Sequence, residues 1–333
     1  MDKIKLHRVA VNLVAKDKGI LAADESFGTI EKKFKAINLP STESNRQKYR
    51  DLLLTAPGTG KYLSGVILFD ETIKQNSVSG RPFTDVLHAA GIIPGIKVDA
   101  GAKDLPGFSP EQITYGLDGL AERLSDYSQR GAAFAKWRAV ITIGEGIPTD
   151  ACIEANMQAL ARYASLAQAA DIVPIVEPEV LMDGSHSLQA CRDITAHTLT
   201  CLFRQLALFR VYVPGIILKP NMISSGSAAE TAASAAECAT ATVETFKTVV
   251  PAEVPGIVFL SGGFSPDEAT KRLNLINQVD PAVPWQLTFS FGRALQQEPL
   301  MIWQGKDENI PAAQSAFIKR LELVSKARNG KIN

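Results

Sequence analysis

Gly215-Ile216-Ile217-Leu218-Lys219-Pro220-Asn221-Met222 opens on glycine, passes through three apolar residues and ends in a polar cluster. It reads as a short strand buried on both faces, since nothing in it alternates between apolar and polar before Lys219. The same shape recurs along the chain: GILAADES from Gly19, GVILFDE from Gly65, GIKVDAG from Gly95, AAFAKWRAV from Ala132, IVPIVEPEV from Ile172, GIVFLSGG from Gly256 and WQLTFSFGRAL from Trp285. Counting the opening stretch, that makes eight strands, most of them punctuated at the start by Gly, Pro or Ser.

Between these runs lie segments of helical spacing, among them Ile113 to Arg130, Thr149 to Ala170, Ser187 to Leu208, Ala228 to Val249 and Ser265 to Asn277. Strand then helix, repeated, means an α/β protein with a parallel sheet, and right-handed crossovers repeated eight times either close into a barrel or spread into a doubly wound sheet. The doubly wound alternative lacks its mark: Ser26-Phe27-Gly28-Thr29 follows the first strand where a G-x-G-x-x-G would stand. The fold expected is therefore a (β/α)₈ TIM barrel with extra N- and C-terminal helices, one domain over 1–333. A barrel needs about 250 residues, so the surplus falls on Lys3 to Ala15, Ile30 to Thr55 and Ala312 to Ala327.

Residues two apart on a strand share a face. Applied here, Ala22, Asp24 and Ser26 go together, as do Gly95, Lys97 and Asp99; Phe134, Lys136 and Arg138; Ile175, Glu177 and Glu179; and Ile217, Lys219 and Asn221. Each set ends polar at the carboxyl end of its strand, where barrel enzymes build their sites. A structural salt-bridge network at the barrel mouth would use the same residues, but so many buried charges are costly without a function.

Lysine inside a strand is the sharpest of these features. An interior amine among apolar walls and cationic neighbours can lose its proton and attack a carbonyl to form a Schiff base. Lys97, Lys136 and Lys219 all qualify; Lys219 has the most apolar strand, but spacing alone does not separate the three. Glu177 and Glu179 offer paired carboxylates for the proton traffic of dehydration, and Asp24 offers a base for breaking a carbon–carbon bond. Leu260-Ser261-Gly262-Gly263 exposes backbone amides to which a phosphate can come close, and Arg293 can pair with it bidentately. Lys32, Lys33 and Arg138 point to a second anion site.

Lys+Arg and Asp+Glu both number 35, so no bulk charge favours nucleic acid or an anionic membrane, and no apolar run reaches a membrane span. The charged N-terminus argues against a secretory signal. Cys152, Cys191, Cys201 and Cys238 form no C-x-x-C pair, and His7, His88, His186 and His197 are scattered. No metal site and no disulfide framework are expected, and a cytoplasmic setting fits.

Taken in order, Lys18-Gly19-Ile20-Leu21-Ala22-Ala23-Asp24-Glu25-Ser26, Gly80-Arg81-Pro82-Phe83, Phe134-Ala135-Lys136-Trp137-Arg138, Val176-Glu177-Pro178-Glu179, Leu218-Lys219-Pro220-Asn221, Leu260-Ser261-Gly262-Gly263 and Gly292-Arg293-Ala294-Leu295 resemble the class I fructose-1,6-bisphosphate aldolase family over nearly the whole chain. The resemblance implies that Lys219 forms the Schiff base, that Glu177 is the acid/base for making and hydrolysing it, and that Asp24 handles the hydroxyl proton in cleavage. Glu179, Lys136 and Lys97 would tune and position amine and substrate. Ser261, Gly262, Gly263, Ser290 and Arg293 would take the 1-phosphate, and Ser26, Lys33, Lys97 and Arg138 the remaining contacts. It further implies sugar-phosphate substrates, no cofactor or metal, and a homotetramer. Lys33 stands where the family commonly has arginine, which loses the bidentate fork; Phe291 stands where tyrosine is frequent. Only Arg328 to Asn333 follow the last helical segment, in place of the long tyrosine-ended tail of animal members. Another Schiff-base aldolase or a transaldolase acting on a monophosphate, and a non-enzymatic scaffold on the same barrel, are the competing readings.

Overall fold

The strands form where glycine-started apolar runs meet their parallel neighbours. In the computed structural model, which describes residues 1–332, they are β1 (Gly19–Ala23), β2 (Leu63–Leu68), β3 (Ile93–Lys97), β4 (Ala102–Asp104), β5 (Gln112–Thr114), β6 (Phe134–Ile141), β7 (Val173–Val180), β8 (Ile217–Leu218), β9 (Gly256–Phe259) and β10 (Gln286–Phe291). All but β4 and β5 close into one parallel barrel, in the order β1-β10-β9-β8-β7-β6-β3-β2. These eight are the eight runs read from the sequence, and the fold is the expected (β/α)₈ barrel. β8 is the shortest because Pro220 has no N–H to continue the ladder, yet the Lys219 amide still donates to the Val176 carbonyl at 2.9 Å.

Alternation along the strands sorts the barrel interior from the outer layer. Ile20, Ala22, Ile67, Phe134, Val173, Ile175, Ile217 and Val258 pack into one buried cluster, and Leu6, Ala10, Leu13 and Val14 from the N-terminal helix Lys3–Leu13 and its cap join it. That helix closes the amino end of the barrel. Its extra residues are thus part of the core, each large apolar side chain contributing about 1.5–3 kcal/mol by leaving water. Phe134 takes its place because Gly95 has no side chain: a Cβ there would stand 2.3 Å from the ring.

Two helical expectations need correction. Ile113 to Arg130 is helical only over Leu120–Gln129; Ile113 pairs instead with Lys103 in the antiparallel β4–β5 hairpin. Gly116 and Gly119 have φ of +124° and +63° between the two, a turn that breaks helical continuity. Ala228 to Val249 begins only at Ala235, where Ser234 and Glu237 form a capping box. The segment before it is drawn to the barrel mouth, with the Gly226 amide donating to the His186 carbonyl at 2.8 Å. The surplus over Ile30 to Thr55 forms added helices, the end of Phe27–Lys35 and Glu43–Leu54, parted near Asn38, whose φ is +53°, and Pro40. The C-terminal helix runs over Ile310–Arg328 and packs on the barrel's outside.

Candidate active site

At the carboxyl ends of the strands the inward face turns from apolar to ionic within one alternation step. On β6, Phe134 gives way to Lys136; on β7, Ile175 gives way to Glu177; past β8, Ile217 gives way to Lys219. Parallel pairing of these strands brings the three charges together. Lys219 Nζ lies 3.1 Å from Glu177 Oε1, and Lys136 Nζ lies 3.4 Å from Glu177 Oε2, 3.1 Å from Asp24 Oδ2 and 3.5 Å from Asp99 Oδ2. Lys136, Glu177 and Lys219 are each under 5 % exposed. Glu177 thus faces an ammonium on each side, Lys219 at Oε1 and Lys136 at Oε2.

Burial works against every charge in this chain, and neighbours of opposite sign reverse the outcome. For Lys136 the desolvation penalty is outweighed by Asp24, Glu177 and Asp99, so its ammonium is held well above the usual amine range. For Glu177 burial is again outweighed, here by Lys219, Lys136 and Arg138, and the carboxyl is held below its usual value. Asp99 is likewise lowered against its burial by Lys136 and Lys97.

Lys97 is engaged nearer the rim, its amine donating to the Asp99 carbonyl at 2.7 Å and paired with the Asp99 carboxylate. Glu179 does not face Lys219; it pairs with Arg138. Lys33 pairs with Glu25, whose other oxygen lies 2.7 Å from Arg50 Nη1. Burial would raise the Glu25 carboxyl, but Arg50 and Lys33 pull it down to about 2. Ser26 ends the loop before helix Phe27–Lys35, its hydroxyl 3.2 Å from that of Thr29.

Across the mouth, Ser261, Gly262 and Gly263 follow β9, and Arg293 opens the helix Arg293–Trp303 directly after β10. Gly262 has φ of +53°, which turns the loop back over the barrel. Arg293 donates to the Phe264 carbonyl at 2.7 Å and the Gly262 carbonyl at 3.2 Å. Ser290 is 1 % exposed and its hydroxyl has no partner. A cavity of about 550 Å³ opens between the two rims.

Of the residues anticipated from the sequence, Lys32, Lys136 and Glu177 do not line this cavity: Lys32 is exposed on the helix Phe27–Lys35 and takes no part in an anion site here, while Lys136 and Glu177 are buried and reach it through the ion pair of Glu177 with Lys219. Reasoning by alternation placed Asp99 on the inward face but gave it no part in the site, although it clamps both Lys97 and Lys136. Glu25, which holds Lys33, and Arg50, which holds Glu25 in turn, carried no signal of their own: Arg50 sits in the helix Glu43–Leu54, remote in sequence. Among the described residues no cluster of three His, Cys, Asp or Glu side chains could hold a metal ion.

The chain matches the family model described as fructose-bisphosphate aldolase class-I over residues 5–333. It is 51% identical over 314 residues to "Fructose-bisphosphate aldolase 6, cytosolic" of Arabidopsis thaliana, covering 94% of this chain and 87% of that one. To the "Probable fructose-bisphosphate aldolase class 1" of Xanthomonas axonopodis pv. citri it is 50% identical, covering 98% of each. It superposes on the fructose-bisphosphate aldolase of Plasmodium falciparum, solved with TRAP and a small-molecule inhibitor, with a TM-score of 0.98 and 47% identity, over 99% of this chain and 95% of that one. With the barrel closed and its charged residues gathered at one mouth, the likeness extends from sequence to architecture, and the chain belongs to the class I fructose-bisphosphate aldolase family.

Proposed function

We infer that this protein catalyses the reversible cleavage of fructose 1,6-bisphosphate to dihydroxyacetone phosphate and glyceraldehyde 3-phosphate, in glycolysis and gluconeogenesis, through a Schiff base on Lys219 and without cofactor or metal. The observation that carries the choice of lysine is the unequal sharing of carboxylates. Lys136 is locked as a cation by three of them, and Lys97 is held by Asp99. Lys219 is left with one oxygen of Glu177 and a face open to the cavity.

In this reading Glu177 takes a proton from the Lys219 ammonium, and the freed amine attacks the ketose carbonyl. Glu177 returns the proton to the carbinolamine hydroxyl, which leaves as water. The iminium then draws electrons from the bond between carbons 3 and 4, while Asp24 accepts the proton of the carbon-4 hydroxyl and the aldehyde departs. Protonation of the enamine and hydrolysis release the second product and restore Lys219. The fixed charge of Lys136 pairs with Asp24 and holds Glu177 ionised. Ser261, Gly262, Gly263, Ser290 and Arg293 bind one phosphate; Ser26, Lys33, Lys97 and Arg138 receive the other end, and Glu179 orients Arg138.

Borohydride added with dihydroxyacetone phosphate tests this: peptide mass spectrometry is expected to find the reduced adduct on Lys219, with activity unaffected by EDTA. An adduct on Lys97 or Lys136, or EDTA-sensitive turnover, would overturn the reading. We further propose one domain over 1–333 acting in the cytoplasm as a homotetramer, supported by family membership and by relatives named cytosolic. Light scattering at the mass of one chain would exclude the tetramer.

A further inference from the structure

Met182, two residues beyond β7, lies over the glycine pair that follows β9. The Gly263 amide donates to Met182 Sδ at 3.1 Å, and a Cβ on Gly263 would stand 2.4 Å from that sulfur and 3.1 Å from Met182 Cγ. The space a side chain would fill at Gly263 is therefore taken by the thioether. Beside it the Ser290 hydroxyl is buried without a partner and lines the same cavity. One donor of this rim is open, then, and another is capped by a weak acceptor.

We propose that Met182 is a positioning residue that occupies the phosphate seat at Gly263 and sets its affinity, swinging aside when an anion binds. A thioether sulfur is a poor acceptor, whereas a phosphate oxygen makes a charge-assisted bond to the same N–H. The exchange thus favours the anion, and the unbranched methionine side chain has the rotatable bonds to move away. Meanwhile the sulfur satisfies the amide and keeps the two glycines, which have no side chains of their own to pack, in one conformation. The proposal rests on the reading that a substrate phosphate binds at Ser261 to Gly263 with Arg293.

Inorganic phosphate, assayed as a competitive inhibitor of fructose 1,6-bisphosphate cleavage, tests both statements separately. In Met182→Ala the inhibition constant is expected to fall about two- to tenfold, the worth of one net hydrogen bond. KM should fall with it, without a gain in kcat. In Arg293→Ala, phosphate inhibition should weaken. If Arg293→Ala weakens inhibition but Met182→Ala leaves it unchanged or weaker, the role of Met182 is overturned and the phosphate site stands. If neither variant alters inhibition, the phosphate site itself is misassigned. As a direct readout, the ε-methyl NMR signal of ¹³C-labelled Met182, assigned with Met182→Leu, should shift on adding inorganic phosphate to the intact enzyme; a signal that stays put overturns the displacement.

Discussion

Lys136 never contacts the cavity directly, yet its ammonium is the hub on which Asp24, Asp99 and Glu177 converge. Replacing it with methionine keeps much of the volume and removes the cation that all three share. The expected cost is about 3–5 kcal/mol of stability, the penalty for leaving buried charge uncompensated, measurable by urea unfolding. Turnover should fall at least about a hundredfold, because Asp24 and Glu177 lose the charge that orients them. Unchanged unfolding in Lys136→Met would contradict the hub. The inward set Phe134, Lys136, Arg138 was legible in the sequence because alternation is a property of any strand. The partners were not: nothing in a sequence says which of the inward carboxylates, spread over three different strands, comes within reach of one amine.

The N-terminal helix Lys3–Leu13 shows what an added element does for the barrel. Its Leu6, Ala10 and Leu13 enter the interior cluster with Phe134, Val173 and Ile217, and Leu13 Cδ2 would lie 2.8 Å from a Cβ on Gly65. Leu13→Ala is therefore expected to destabilise by about 2–5 kcal/mol, transfer plus cavity, and a thermal or urea melt checks it. A loss under about 1 kcal/mol would mean the helix lies on the barrel and not in it. An added element before the first strand was expected from the chain's surplus length, and the helices read from spacing over Thr149 to Ala170 and Ser187 to Leu208 stand at Asp150–Ala169 and Leu188–Leu208. The hairpin of β4 and β5 was missed because the apolar spacing after Ile113 fits a helix as well as a short strand, and the positive φ of Gly116 and Gly119, which decides between them, is not visible in spacing.

Buried ion pairs of Asp24, Asp99, Glu177 and Glu25 lie around the site, so acid acts on site and fold together. Glu25 is buried between Lys33 and Arg50 with a carboxyl pulled down to about 2 from an ordinary 4.5. A lowered folded-state pKa contributes stability that is full above the unfolded value and disappears as pH falls through the folded one, so the window is about pH 4.5 down to about 2. The contribution is on the order of 3 kcal/mol. Unfolding free energies at pH 5 and pH 2.5 should differ more in the wild type than in Glu25→Gln; equal differences would show that the triad adds no pH-dependent stability.

Eight apolar runs, the inward sets and the glycine pair were readable because burial on both faces and a period of two are local consequences of strand geometry. The closed order of strands, and with it the meeting of Lys219, Glu177, Lys136, Asp24 and Asp99, depends on which strands become neighbours around the barrel. So does the contact of Met182 with Gly263, residues on different loops joined only when β7 and β9 stand one strand apart. Chemistry at this mouth needs charges within about 3 to 4 Å of one another. Composition and spacing supply the charges, and barrel closure supplies the distance.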